Sequence, residues 1–228
     1  KDCVILYFIG LTESYEGEGY DRKNLKIPQN QEELLAEIAE TVGKDHIAAI
    51  SFGGAPMDFS FEKNVGAILH MYLGGQAVGE SVADLISGEV NPSGKLAETI
   101  PFSEKDTPAW RYFAPPNDDV EYRESIFVGY RYYETFHVPV KYPFGYGLSY
   151  TTFETKVLST VLKDNKIVVE TETINTGDTY SGKEVVQLYA TCPAGKLEKE
   201  YRRLVAFDKT GLLAPGQSEK MTLEIALD

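Results

Sequence analysis

Three apolar runs, each closed by glycine, most constrain what this chain can fold into. Cys3–Ile9 is followed by Gly10, and the runs His46–Phe52 and Val65–Leu73 are each followed by a glycine pair. The first run has the length and the β-branched and aromatic content of a strand buried on both faces, as in a parallel sheet. These runs therefore predict strands that end at the same edge of a buried sheet.

Residues with helical spacing lie between the runs. After Pro28 an apolar stripe recurs every three or four residues up to Gly43, and Gln76–Ile86 carries a second stripe. A turn at Asn91–Gly94 precedes a possible last strand, Lys95–Ile100. The order strand, helix, strand, strand, helix, strand predicts an α/β layer that is too small to be complete.

The last third of the chain has the sequence pattern of a different fold class. Residues 151–228 show little helical pattern and contain five β-rich runs that are separated by turn signals. The runs are Phe153–Leu162, Ile167–Ile174, Glu184–Ala190, Leu204–Phe207 and Lys220–Leu227. This pattern predicts an all-β sandwich, although sandwiches of this kind usually have roughly seven strands. The predicted domains are an α/β part over 1–101, a strap over 102–150 and the sandwich over 151–228, and we expect both ends to be cut.

The strap is crowded with aromatic residues, from Trp110 to Tyr150. A disordered linker is poor in aromatics, so we expect this segment to be packed against the domains. Aromatic rings also stack on sugar rings, which leaves a functional alternative open for some of them.

The amino-acid composition limits the kinds of molecule that this chain is expected to bind. The chain is 43% hydrophobic and 25% charged, which is ordinary for a globular protein. Its formal charge of −13 argues against binding nucleic acid or anionic membrane surfaces. No apolar run approaches the roughly 18 residues of a membrane-spanning helix.

Cysteine and histidine give no sign of a metal or cofactor. Cys3 and Cys192 are far apart and without ligand spacing, so both are interpreted as unpaired structural residues. His46, His70 and His137 are scattered and form no ligand motif. We expect neither a metal nor a cofactor.

The candidate site is the loop Glu13–Arg22, which follows the first predicted strand. Ligands bind outside the carboxyl ends of parallel strands, and Glu18 lies there between Gly17 and Gly19. The two glycines permit a sharp turn from which Glu18 could project. The alternative is a solvated acidic loop with no chemical role.

Several motifs together resemble one known family, glycoside hydrolase family 3. They are Glu16–Arg22 leading to Leu25–Pro28 and Gln31, Gly74–Gly79 with Ala83–Asp84 and Gly88, Asn91–Leu96, Val128–Tyr133, Tyr142–Tyr150, Glu184–Tyr189 and Leu213–Gly216. The resemblance covers essentially the whole chain, and the order and spacing of the motifs make it specific. It implies the second half of the family's α/β sandwich domain, followed by most of its fibronectin type III-like domain.

The resemblance also implies an activity. Family members of this type are retaining β-glycosidases, typically β-glucosidases, that act on terminal β-D-glucosyl residues of oligosaccharides or aryl glucosides. The general acid/base of the family maps onto Glu18, with Glu16 as the fallback because the two carboxylates are only two residues apart. The nucleophile of the family is an aspartate on a barrel domain that has no counterpart in this chain.

Neighbouring residues of the loop receive supporting roles in this interpretation. Asp21 and Arg22 are expected to hold the loop by an ion pair or by backbone hydrogen bonds. Tyr15 and Tyr20 flank the acid and are candidates for contacting the substrate, with packing on the solvent side as an equal alternative.

Two further expectations concern partners and class. We expect a second polypeptide to supply the catalytic barrel and the remaining sandwich strands, and the chain alone to be inactive. The alternative to an enzyme segment is a non-catalytic carbohydrate-binding or domain-docking module that keeps the family scaffold. The intact Glu18 loop favours the enzyme segment.

Overall fold

The computed structural model describes residues 3–20, 22–54, 56–113 and 119–227. The chain divides into two compact units, Lys1–Ala83 with Ile100–Pro115 and Asp84–Thr99 with Pro116–Asp228. Its helices and strands, in chain order, are β1 (Ile5–Gly10), α1 (Gln29–Val42), β2 (Ile47–Phe52), β3 (Ala67–Tyr72), α2 (Val78–Ser87), β4 (Ile100–Pro101), α3 (Tyr130–Thr135), β5 (Val140–Tyr142), β6 (Phe153–Lys163), β7 (Lys166–Asn175), β8 (Val185–Ala190), β9 (Arg203–Lys209) and β10 (Ser218–Ala226). Short 3₁₀ helices span Lys44–His46, Ser60–Asn64 and Glu104–Asp106.

The first unit is built on a parallel sheet in the order β1-β2-β3. Helix α1 connects β1 to β2; it begins directly after Pro28 and ends at Gly43, whose φ of 87° an L side chain rarely adopts. Leu35 of α1, Ile9 of β1 and Ile50 of β2 are buried together with the rest of the core. The predicted parallel α/β arrangement is confirmed.

Two details of the sequence prediction are wrong. Strand β1 is buried on one face: Ile9 is fully buried, but Leu6 and Phe8 are 41% and 56% exposed. The reason is that, among the described residues, α1 lies only on the face of Tyr7, whose hydroxyl donates to the carbonyl of Gln31 at 2.8 Å. The last strand of the α/β part also does not span 95–100, since only Ile100–Pro101 forms a strand there.

The second unit contains the five predicted strands of the sandwich. One antiparallel sheet has the order β10-β7-β6, and β8 pairs with β9 in a second sheet. Val186, Met221 and Leu223 form a buried cluster, against which Leu188 and Ala206 pack. The predicted α/β part followed by a β-sandwich is therefore the observed fold class.

Aromatic residues of the strap pack on one another within the second unit. Tyr130 stacks on Phe144 with ring centroids 4.7 Å apart, and Tyr132 contacts Phe136 at 5.3 Å. These contacts support the structural interpretation for this part of the strap. They account for these four rings without a bound sugar, whereas Tyr122 of the strap is 86% exposed.

Candidate active site

The candidate site is the β1–α1 loop, residues 11–28, at the carboxyl edge of the parallel sheet. Its first residues turn sharply, because the amides of Tyr15 and Glu16 both donate to the carbonyl of Thr12, at 2.7 and 3.0 Å. The side chain of Gln31 fixes the start of the loop. Its amide oxygen accepts from the Gly10 N–H at 3.2 Å and its Nε2 donates to the Gly10 carbonyl at 3.1 Å.

A tight tip follows, in which Gly17 and Tyr20 form an antiparallel bridge. The ring of Tyr20 lies directly over Gly17, where an added Cβ would collide with the ring and displace it. The Tyr20 hydroxyl donates to the carbonyl of Glu13. Tyr20 thus closes the loop on itself and leaves Glu18 and Gly19 at the tip.

Glu18 is exposed at this tip. Among the residues that the structure describes, its carboxylate has no hydrogen-bond or ion-pair partner. The Glu18 side chain is therefore accessible to a ligand.

Glu16 lies in a different environment, although it is only two residues away. It is half-buried, and both of its carboxylate oxygens lie 3.0 Å from the backbone N–H of Gly54, which follows β2. An added Cβ on Gly53 would lie 2.9 Å from Oε1 of Glu16. The carboxylate is thus seated on a glycine pair that leaves room for it.

Arg22 ties the far side of the loop to the segment after β2. Its Nη2 donates to the carbonyl of Pro56 at 2.7 Å, and its Nε donates to the carbonyl of Asn24 at 3.2 Å. Burial lowers the pKa of Arg22, while the negative charges of Glu16 and Asp58 act in the opposite direction. Arg22 is thus placed to hold the loop.

The other predicted site residues are Tyr15, Tyr20 and Asp21. Tyr15 is half-buried and Tyr20 is exposed, and both lie on the same short loop as Glu18. Asp21 lies outside the described residues.

Within the described ranges no group of histidine, cysteine, aspartate and glutamate side chains is arranged to hold a metal ion, and both Cys3 and Cys192 are free and exposed. The described helices are also too short or too polar to cross a membrane.

Sequence reasoning missed three residues that shape this site. Gly54 was interpreted only as the end of a strand, and Gln31 only as part of a motif. Asp58 is buried, and its backbone N–H donates to the carbonyl of Leu25 at 3.0 Å, so it docks the end of the loop. The only available signal was the glycine pair after β2, because glycine pairs often mark close approaches.

Comparison with known proteins identifies the family. Residues 1–150 match the glycosyl hydrolase family 3 C-terminal domain. This chain belongs to glycoside hydrolase family 3. Residues 184–228 of the family 3 chain match the fibronectin type III-like domain, in agreement with the β-sandwich.

Several relatives of the family 3 chain are β-glucosidases, and an exo-alpha-(1->6)-L-arabinopyranosidase of Bifidobacterium longum is also 35% identical to it over 97% of this chain. The family 3 chain is 39% identical over 225 residues to thermostable beta-glucosidase B of Acetivibrio thermocellus, covering 97% of this chain and 29% of that protein. It is 37% identical over 227 residues to a beta-glucosidase of Kluyveromyces marxianus, covering 100% of this chain and 26% of that protein. The structure of beta-glucosidase 3B from Thermotoga neapolitana in complex with glycerol superposes with a TM-score of 0.89 at 40% identity, covering 98% of this chain and 32% of that one.

These figures also show the extent of the match. The family 3 chain spans between about a quarter and a third of the length of these relatives. It corresponds to the C-terminal part of family 3 β-glucosidases.

Proposed function

We propose that this chain is the acid/base-bearing segment of a retaining β-glycosidase, and that Glu18 is the general acid/base. One observation carries the proposal: Glu18 projects from a glycine-flanked tip at the carboxyl end of β1 without a partner among the described residues. Glu16 is the weaker candidate, because both of its oxygens already accept from Gly54. The substrates are terminal β-D-glucosides of oligosaccharides or aryl alcohols, by similarity to the β-glucosidases named above.

The chemistry requires a second carboxylate, which the proposal places on the barrel domain implied by the family resemblance. In retaining hydrolysis one carboxylate attacks the anomeric carbon while an acid about 5–5.5 Å away protonates the leaving oxygen. The same acid, once deprotonated, then activates the water that releases the sugar. A partnerless carboxylate on a loop tip suits this role, because it approaches a nucleophile carried by another domain.

The nucleophile and the sugar pocket are accordingly supplied by a polypeptide that carries the catalytic barrel and the remaining sandwich strands. Two uncovered apolar surfaces support this part of the proposal. Leu6 and Phe8 of β1 form one of them. The second surface is at Val157 of β6. This residue pairs with the buried Thr171 and so lies on the face that carries the core of the sandwich, yet it is 63% exposed. Uncovered apolar faces of this kind mark interaction surfaces.

The acid/base assignment is tested by Glu18→Ala in the assembled enzyme, that is, this chain together with the barrel-carrying polypeptide. Hydrolysis of aryl β-glucosides with poor leaving groups should fall by about 10²–10⁴-fold, the usual contribution of general acid catalysis. Activated leaving groups should suffer less in the first step, because they need little protonation. Azide should then restore part of the turnover by replacing water in the second step.

A pH profile and a matched variant complete the test. In Glu18→Gln the alkaline limb of kcat/KM, which reports loss of the acid's proton, should disappear. Glu13→Ala removes another exposed carboxylate of the same loop and should leave turnover near the wild-type value. Unchanged leaving-group dependence in Glu18→Ala, with no response to azide, contradicts the assignment.

A further inference from the structure

We propose that Glu16 is a positioning residue, which seats the loop tip on the end of β2 and so fixes where Glu18 lies. The inference rests on the proposed function, because it concerns the placement of the acid/base. It assigns to Glu16 a role that differs both from proton transfer and from that of a solvated surface carboxylate.

The first support is the contact itself. Both oxygens of Glu16 lie 3.0 Å from the Gly54 N–H, across 38 residues of sequence. Hydrogen bonds from backbone N–H groups to a carboxylate are roughly twice as strong as neutral ones. This contact joins the loop to the end of the central strand of the sheet.

The second support is the absence of side chains beneath the carboxylate. A Cβ on Gly53 would lie 2.9 Å from Oε1 of Glu16 and 2.7 Å from Cε of Met57. A Cβ on Gly54 would lie 3.4 Å from Oε2 and 2.8 Å from Cδ1 of Leu73. The glycine pair thus forms a seat into which the carboxylate fits.

The third support is the short and constrained path from Glu16 to Glu18. Only Gly17 separates them, and Gly17 is covered by the Tyr20 ring and bridged to Tyr20. Release of Glu16 therefore moves the whole tip rather than one side chain. A misplacement of about 1 Å costs on the order of 10²-fold in rate for a catalytic group that must be aligned with its substrate.

The experiment compares Glu16 variants in the assembled enzyme, this chain together with the barrel-carrying polypeptide. Glu16→Ala should lower kcat about 10–100-fold for poor and activated leaving groups alike, because a displaced acid/base impairs both steps. It should retain the alkaline limb and show no response to azide, since Glu18 is still present. Glu16→Gln keeps an oxygen that accepts from Gly54 and should recover kcat to within about threefold of the wild type.

Glycine variants test the same contact from the other side. Gly53→Ala should reproduce the Glu16→Ala kinetics, and the double variant should be little worse than either single one, because both act on one contact. Gly10→Ala is the matched control, since a Cβ there meets no atom within 4 Å. It should leave kcat near the wild-type value.

The outcomes separate this inference from the proposed function. If Glu16→Ala has the wild-type kcat and azide rescues Glu18→Ala, the inference is overturned and the proposed function remains intact. Equal losses in Glu16→Gln and Glu16→Ala also overturn it, because the acceptor is then irrelevant. Azide rescue and loss of the alkaline limb in Glu16→Ala, but not in Glu18→Ala, overturn both, because Glu16 is then the acid.

Discussion

Asn175 offers the sharpest test of how the sandwich is held together. It is fully buried, with 0% of its surface exposed, at the end of β7. Its Nδ2 donates to the carbonyls of Tyr180 and Leu213, both at 2.9 Å. Its Oδ1 accepts from the Thr151 hydroxyl at 2.7 Å and from the Gly177 N–H at 3.0 Å. One side chain thus joins four separate positions.

Asn175→Ala removes all four hydrogen bonds. A net contribution of about 1 kcal/mol for each gives a loss of about 3–4 kcal/mol, because water reaches some of the abandoned partners and satisfies them again. Asn175→Asp keeps the size of the side chain but replaces Nδ2 by an oxygen that faces the carbonyls of Tyr180 and Leu213. It should therefore cost at least as much at neutral pH.

Hydrogen–deuterium exchange of β7 amides in the assembled enzyme measures this loss locally. A loss of 3–4 kcal/mol corresponds to exchange that is roughly 10²–10³-fold faster, at 1.4 kcal/mol for each factor of ten. Thr176→Ala is the control, because its hydroxyl pairs with that of Thr152 at 2.8 Å in an exposed position and should change stability by less than about 0.5 kcal/mol. Acceleration of less than about fivefold in Asn175→Ala would refute the reasoning.

Two more predictions address the pH dependence of stability and the partner polypeptide. Burial lowers the pKa of His70, whose ring forms a hydrogen bond with the buried Ser51 hydroxyl at 2.9 Å. The contribution of His70 to the free energy of unfolding is therefore complete above a pH of about 6.5. It is lost as the pH falls through the lowered pKa of the folded state. The urea midpoint of the wild type should therefore fall more steeply than that of His70→Gln between about pH 7.5 and pH 5, and parallel curves contradict this sign. The chain mixed with a separately produced polypeptide carrying the barrel and the remaining strands should hydrolyse an aryl β-glucoside that neither piece hydrolyses alone. A monodisperse monomer of the chain alone that melts cooperatively counts against the need for that partner.

Much of the fold was predictable from local patterns. Each apolar run that ended in glycine became a strand, and the stripe between Pro28 and Gly43 became helix α1. The five β-rich runs of the last third became strands within one or two residues of the expected ends. These predictions succeeded because periodicity and turn residues record which face of a local segment is buried.

The faces of β1 were not predictable in the same way. The run Cys3–Ile9 has the composition of a strand covered on both sides, but Leu6 and Phe8 are exposed in the described structure. Composition shows that a side chain prefers burial, and it does not show which element buries it. That depends on which elements pack against each face of the sheet.

The sequence by itself determined the candidate loop, the glycines around Glu18 and the order of motifs that places the chain in its family. Only the tertiary structure distinguished Glu16 from Glu18, by setting one against the Gly54 amide and leaving the other at the tip. It likewise showed that Asn175, which has the sequence signature of a turn, is a buried centre of hydrogen bonds that reaches Leu213. The physical reason is common to both cases. Each contact joins residues 38 positions apart, and such contacts are created by the packing of strands and loops, which local periodicity does not encode.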